Sequence, residues 1–166
     1  SSANGGLGWN PIGVWNSSDF TGTLDGGGFS IDDVVINRPS TQFCGLFASI
    51  RGSSAEVKNL NINNADVTGS TYSGVLSGYV FENPTIFGVE IHGEVSGGDY
   101  TGGMAGVIQN NATNVYECTT DVLVSGLNYV GGFCGQFGND AIIYENKSIG
   151  NVSGTGTVGG FIGRSY

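Results

Sequence analysis

Basic residues are scarce in this sequence. Two lysines and three arginines stand against 14 acidic residues, giving a net charge of −9 over 166 residues. With no basic stripe to neutralise phosphates, DNA and RNA are excluded as partners. Attachment to an anionic membrane by charge is excluded on the same ground. Long apolar runs are also missing; none approaches the ~20 residues that span a bilayer as a helix. Only three prolines occur, with no Gly-x-y period, so collagen is excluded. A 3.6-residue apolar pattern is missing, and helix-start chemistry is nearly so. The chain opens Ser-Ser-Ala-Asn without a methionine. It reads as a processed mature form or an excised piece, with any signal peptide gone.

Glycine is what the sequence has in excess: 31 residues, about three times the usual share. Apolar residues at 39% and aromatics at 11% argue against disorder. The glycines fall in a phrase that recurs. Its first glycine stands at Gly45, Gly74, Gly102, Gly131 and Gly159, with spacings of 29, 28, 29 and 28. Two residues earlier are Phe43, Tyr72, Tyr100, Tyr129 and Thr157; two residues later are Phe47, Leu76, Met104, Phe133 and Phe161. A second phrase keeps the same step, with valines at Val67, Val95, Val124 and Val152 and glycines at Gly69, Gly97, Gly126 and Gly154.

Each stretch alternates with period 2 and breaks at glycines, which predicts short strands. A repeat of this length implies stacked units. The predicted fold is therefore all-β, a β-solenoid or β-helix with coils of about 28 residues, roughly five to six of them. One domain covers 1–166. Residues 1–42, with Trp9 and Trp15, form an irregular first coil and N-terminal cap, and 43–166 carry the regular repeats. The aromatic column shares parity with the Phe47–Phe161 column, so both are expected to point into the core rather than one serving as a sugar-stacking platform.

"GWNPIG", "FTGTLDGGGFSIDDVVINRP", "CGLF", "VKNLNINNADVTG" and "YVGGFCG" together resemble the GLUG-motif repeat proteins. These are similar in design to pectin-lyase-like right-handed β-helices, and the resemblance runs from about Gly8 to Gly163. It implies a passive module of a large secreted or surface-anchored microbial protein, such as an adhesin. It brings no catalytic motif to transfer, and this chain departs from the family in having Cys44 and Cys134 inside the glycine phrases.

The residues themselves offer little chemistry. The single histidine, His92, would have to serve every acid–base role, and nothing marks its neighbours as nucleophiles. Asp32 and Asp33 are adjacent on a predicted strand, so they point to opposite faces and do not converge. Asp25 lies in a Gly-rich turn. No catalytic residue is assigned and the chain is expected to be non-enzymatic; the rival is a polysaccharide-active β-helix enzyme or a glycan-binding module. Asp66 and Glu94 hold equivalent positions, where stacked like charges need outward solvation or a cation such as calcium between them. "GQFGNDAI" at Gly135–Ile142 half-matches a calcium nonapeptide, as a single copy without tandem neighbours. No cofactor and no metal ligand is assigned beyond that opening for calcium.

Three cysteines leave at least one unpaired. Cys44 and Cys134 are three coils, about 14 Å, apart, too far for a disulfide. Cys118 and Cys134 share a coil and are the candidate pair; burial as small apolar residues is the alternative. Asn16, Asn111 and Asn146 are the glycosylation candidates, with Asn151 in the repeat phrase itself. The expected role is an extracellular structural or adhesive solenoid. It is either a module of a surface adhesin that meets glycan or host protein, or a filament subunit that self-associates through its ends.

Overall fold

The computed structural model describes residues 3–109, 113–138 and 140–166. Their only helical element is a 3₁₀ turn at Ala3–Gly6. Everything else is a stack of five coils, and every strand pairs in parallel with its equivalent one coil on. The chain is thus an all-β solenoid, as its repeat predicts.

Each coil has a long face, a tight corner and a short face. On the long face, Glu56–Thr68 pairs with three short strands before it (Thr23–Asp25, Ser30–Asp32, Val35–Asn37) and with Thr85–Ser96 after it. The short face stacks Phe47–Arg51, Ser77–Phe81, Ala105–Gln109, Cys134–Gly138 and Ile162–Ser165. Alternation on the long face sends three columns inward. They are Leu24, Val57, Ile86, Val115 and Ile143; Ile31, Ile62, Ile91 and Thr120; and Ile36, Val67, Val95, Val124 and Val152. Members in the middle coils are fully buried. A single coil could not bury these side chains alone, which is why the phrase must repeat.

The spacing varies because single residues are inserted. Ile62 pairs with Ile91, 29 residues on, but Ala65 pairs with Gly93, 28 on, so a bulge absorbs one residue. On the short face the first coil is one residue short: Cys44 pairs with Ser73, whereas Phe47 pairs with Ser77 rather than Leu76. Phe47 is nonetheless buried, as are Leu76, Met104 and Phe133, while Phe161 is half-buried and stacks on Phe133 at 4.7 Å.

The corner glycines are there for space. A Cβ on Gly131 would lie 2.1 Å from the Cys134 carbonyl oxygen, and one on Gly102 would lie 2.2 Å from that of Ala105. One residue before Gly45, Gly74 and Gly102, the side chains of Cys44, Ser73 and Thr101 donate back to the carbonyls of Thr41, Ser70 and Gly98 at 3.2, 2.9 and 3.0 Å. Gly69 and Gly97 leave room for those side chains. The N-terminal segment closes the first coil: Ile12 bridges Phe47, Phe20 bridges Ile50, and the Phe20 ring packs on Phe47 at 4.5 Å.

Candidate functional site

The aromatic column does not enter the core. Phe43, Tyr72, Tyr100 and Tyr129 are half-buried on the outside of the corner, stacked at 4.7, 5.0 and 5.0 Å. Trp15 extends the ladder at one end, 4.9 Å from Phe43 and nearly parallel to it. The parity expectation fails for a backbone reason. All four residues are left-handed, with φ of 57, 64, 58 and 56°, and one such residue reverses the alternation that parity counting assumes. Because the rings stack on one another, their faces are occupied and their hydroxyls and edges meet solvent. A second ladder, Phe87, Tyr116 and Tyr144 at 5.0 and 4.9 Å, runs along the long face; the sequence reading missed it.

Beside the first ladder lies a groove of about 340 Å³ walled by Tyr72, Tyr79, Tyr100, Gln109, Gln136, Arg164 and Tyr166. Strand register brings its floor together. Tyr79, Val107, Gln136 and Arg164 are successive partners across four coils. Gln109 donates to the Tyr79 hydroxyl. The Tyr166 hydroxyl donates to Gln109 Oε1 at 3.1 Å and accepts from Gln136 Nε2 at 3.1 Å. Burial, together with nearby Tyr72, pushes the Tyr79 phenol up to about 12, so it stays a neutral hydroxyl. The Arg164 guanidinium lies over the Tyr129 ring at 4.9 Å and the Tyr166 ring at 5.3 Å.

The carboxylates singled out in the sequence are tied to amides of the next coil. Asn59 donates to Asp25 at 3.1 Å, Asn63 to Asp32 at 2.8 Å and Asn64 to Asp33 at 3.4 Å. Asp33 is left-handed, with φ of 59°, and no two of these carboxylates converge on a common atom. Asp66 and Glu94 are register partners, both exposed. His92 sits between Glu90, 3.0 Å from Nε2, and Asp121, 3.7 Å from Nδ1, on the solvent side of the long face. Among the described residues no group of three or more His, Cys, Asp or Glu is placed to hold a metal. The half nonapeptide includes residue 139, which is outside the described residues.

All three cysteines are free and buried, so the candidate Cys118–Cys134 bond is not made. Cys118 lies on the long face between Asn114–Tyr116 and Thr119–Ser125, its thiol turned to the Tyr116 carbonyl at 3.1 Å. Cys134 belongs to the short-face strand instead. Burial raises both thiols, Cys118 to about 12 and Cys134 well beyond the usual thiol range. Of the sequons, Asn16 is exposed, with its Oδ1 3.4 Å from Arg51 Nη1. Asn146 is committed: it donates to the Val115 carbonyl at 2.8 Å and accepts from the Cys118 amide at 2.9 Å. Asn111 lies outside the described residues, and Asn151 is exposed.

Fold and surface together define a parallel-stacked β-solenoid with coils about 29 residues apart and an external aromatic ladder. Comparison with known proteins gives it a relative. Over 119 residues the chain is 38% identical to halomucin of Haloquadratum walsbyi, a match covering 72% of this chain and 1% of halomucin. The chain thus spans about 1% of the length of the curated relative it matches. No family model matches the chain, and no solved structure does.

Proposed function

We propose that this chain is a non-enzymatic structural segment of a large extracellular surface protein. The observation that carries the reading is one of scale: most of this chain aligns with 1% of halomucin. That relationship supports a surface protein, and the coil stack suits one. Each coil buries its apolar columns against its neighbours, so such a unit can recur along a very long chain without new core chemistry. Asp25, Asp32 and Asp33 are each held by an amide of the next coil, which suits a structural use of these carboxylates. The GLUG-type reading rests on the repeat phrases quoted above and agrees with the same role, as does an adhesive use of the corner.

An antibody raised against the purified chain tests this on blots of fractionated source cells. The expected result is a polypeptide far larger than 17.1 kDa in the envelope or medium fraction. A band of the chain's own size in the soluble cell interior would overturn the proposal.

A further inference from the structure

We propose that Asn16 is the acceptor of an N-linked oligosaccharide, carried at the tip of a hairpin inserted into the N-terminal segment. The inference rests on the extracellular reading above, because the chain has to meet a glycosyl transferase on its way out of the cell. The insertion is visible in the register. Ile12 bridges Phe47 and Phe20 bridges Ile50, so Gly13–Asp19 stand where the first coil has only Ala48 and Ser49. The extra residues double back. The Ser17 and Ser18 amides both donate to the Val14 carbonyl, at 3.0 and 2.9 Å, and the Val14 amide donates to the Ser18 carbonyl at 3.2 Å. Gly13 allows the departure: its φ is 86°, and a Cβ there would lie 2.5 Å from the Ser18 carbonyl oxygen. Insertions into single repeats map to loops on the face that a solenoid uses. The partners of this hairpin, Phe43, Tyr79 and Arg51, belong to the coils that follow, so its tip lies against the flank of the stack.

The tip carries Asn16-Ser17-Ser18, an acceptor asparagine with the required hydroxyl two residues on. Asn16 is left-handed, with φ of 56°, which asparagine tolerates. Asp19 fixes the turn: it accepts from the Asn16 amide at 2.9 Å and is itself held by the Ser49 hydroxyl and Arg51. The two ends of the Asn16 side chain differ. Its Oδ1 accepts from Arg51 Nη1 at 3.4 Å, while Nδ2 donates to nothing among the described residues. Transfer needs only Nδ2. Its bond to the sugar C1 forms as the C1–O bond to the phosphate of a polyprenyl-linked donor breaks. The lipid phosphate leaves with that electron pair, and one Nδ2 proton passes to a carboxylate of the transferase. Oδ1 stays a carbonyl, so the contact with Arg51 is kept. Val14 and Trp15, 60% and 42% exposed, are an apolar patch beside Asn16 for the first sugar rings to cover. The other described sequons lack this freedom. Asn146 spends both amide groups on Val115 and Cys118, and the Ser148 hydroxyl of its sequon is buried. At Asn151 the backbone is in the ladder with Val124, whose carbonyl also accepts from the Ser153 hydroxyl at 3.4 Å.

The experiment is mass spectrometry of the protein recovered from fractionated source cells, read on the peptide that ends at Ser18 after cleavage before Asp19. The expected result is a peptide carrying the mass of an oligosaccharide, with fragmentation placing it on Asn16. In variants expressed in the same cells, Asn16→Gln and Ser18→Ala should each lose that mass completely. Ser17→Ala and Asn146→Gln should keep it. Sugar on Ser17 or Ser18 instead of Asn16, or sugar that persists on Asn16 in Ser18→Ala, would overturn the proposal. The fraction separates the two readings. A bare Asn16 on protein from the envelope or medium sinks this inference and leaves the extracellular one standing, whereas a bare Asn16 on protein from the cell interior sinks both.

Discussion

At the residue scale, the same type of residue is used for different reasons at different positions. Gly131 has an ordinary φ but no room: a Cβ would meet Cys134 O at 2.1 Å and Gly163 N at 2.6 Å. Gly22 has room, since a Cβ there would meet only the Phe20 ring, at 3.7 Å. Gly131→Ala should therefore cost on the order of 3–5 kcal/mol in urea unfolding, while Gly22→Ala should be neutral or slightly stabilising. Similar costs for the two would refute the close-packing explanation. Burial of ionisable groups gives a second expectation. Cys118 and Tyr79 are both held up to about 12 in the folded state, against ordinary values of about 8.5 and about 10. The unfolded chain loses these protons first and so binds fewer of them, and stability falls as pH rises. The full contribution is present below about pH 8.5 and is lost progressively towards about pH 12. The urea midpoint should drop between about pH 7 and about pH 10, and Cys118→Ala should reduce the drop. An unchanged midpoint would contradict the buried-thiol picture.

At the element scale, the strand columns were legible in the sequence and the corner was not. Val67, Val95, Val124 and Val152 can be aligned by eye because alternation and spacing both survive there, and the structure pairs them in register. The ladder of Phe43, Tyr72, Tyr100 and Tyr129 carries an equally clear period, which located the column correctly. Its direction depends on a left-handed φ that non-glycine residues adopt rarely and without a sequence signal. The one-residue deficit at Phe47 was invisible for a related reason, since a phrase can be aligned across a missing residue without changing its look. The corner conformation can be tested directly. Tyr100→Asn keeps a residue tolerant of the left-handed region but removes two ring contacts of about 0.5–1.5 kcal/mol each. Tyr100→Val removes the same contacts and adds about 1–2 kcal/mol of strain at a β-branched residue. The valine variant should therefore be the less stable in denaturant melts, despite its higher strand preference. The reverse order would remove the explanation for the outward ladder.

At the scale of the whole molecule, the coils carry a continuous core, and the surface carries amide-bound carboxylates, aromatic ladders and one polar groove. Stability is distributed along the stack through nearest-neighbour contacts, which suits a unit embedded among others. The central claim is that this solenoid stands outside the cell as part of a much longer chain. The most direct measurement is immunogold labelling of intact, unpermeabilised source cells with an antibody against residues 3–166. The account predicts dense gold on the cell exterior, removed by brief protease treatment of whole cells. Gold confined to the cell interior, appearing only in sectioned cells and untouched by external protease, would contradict it.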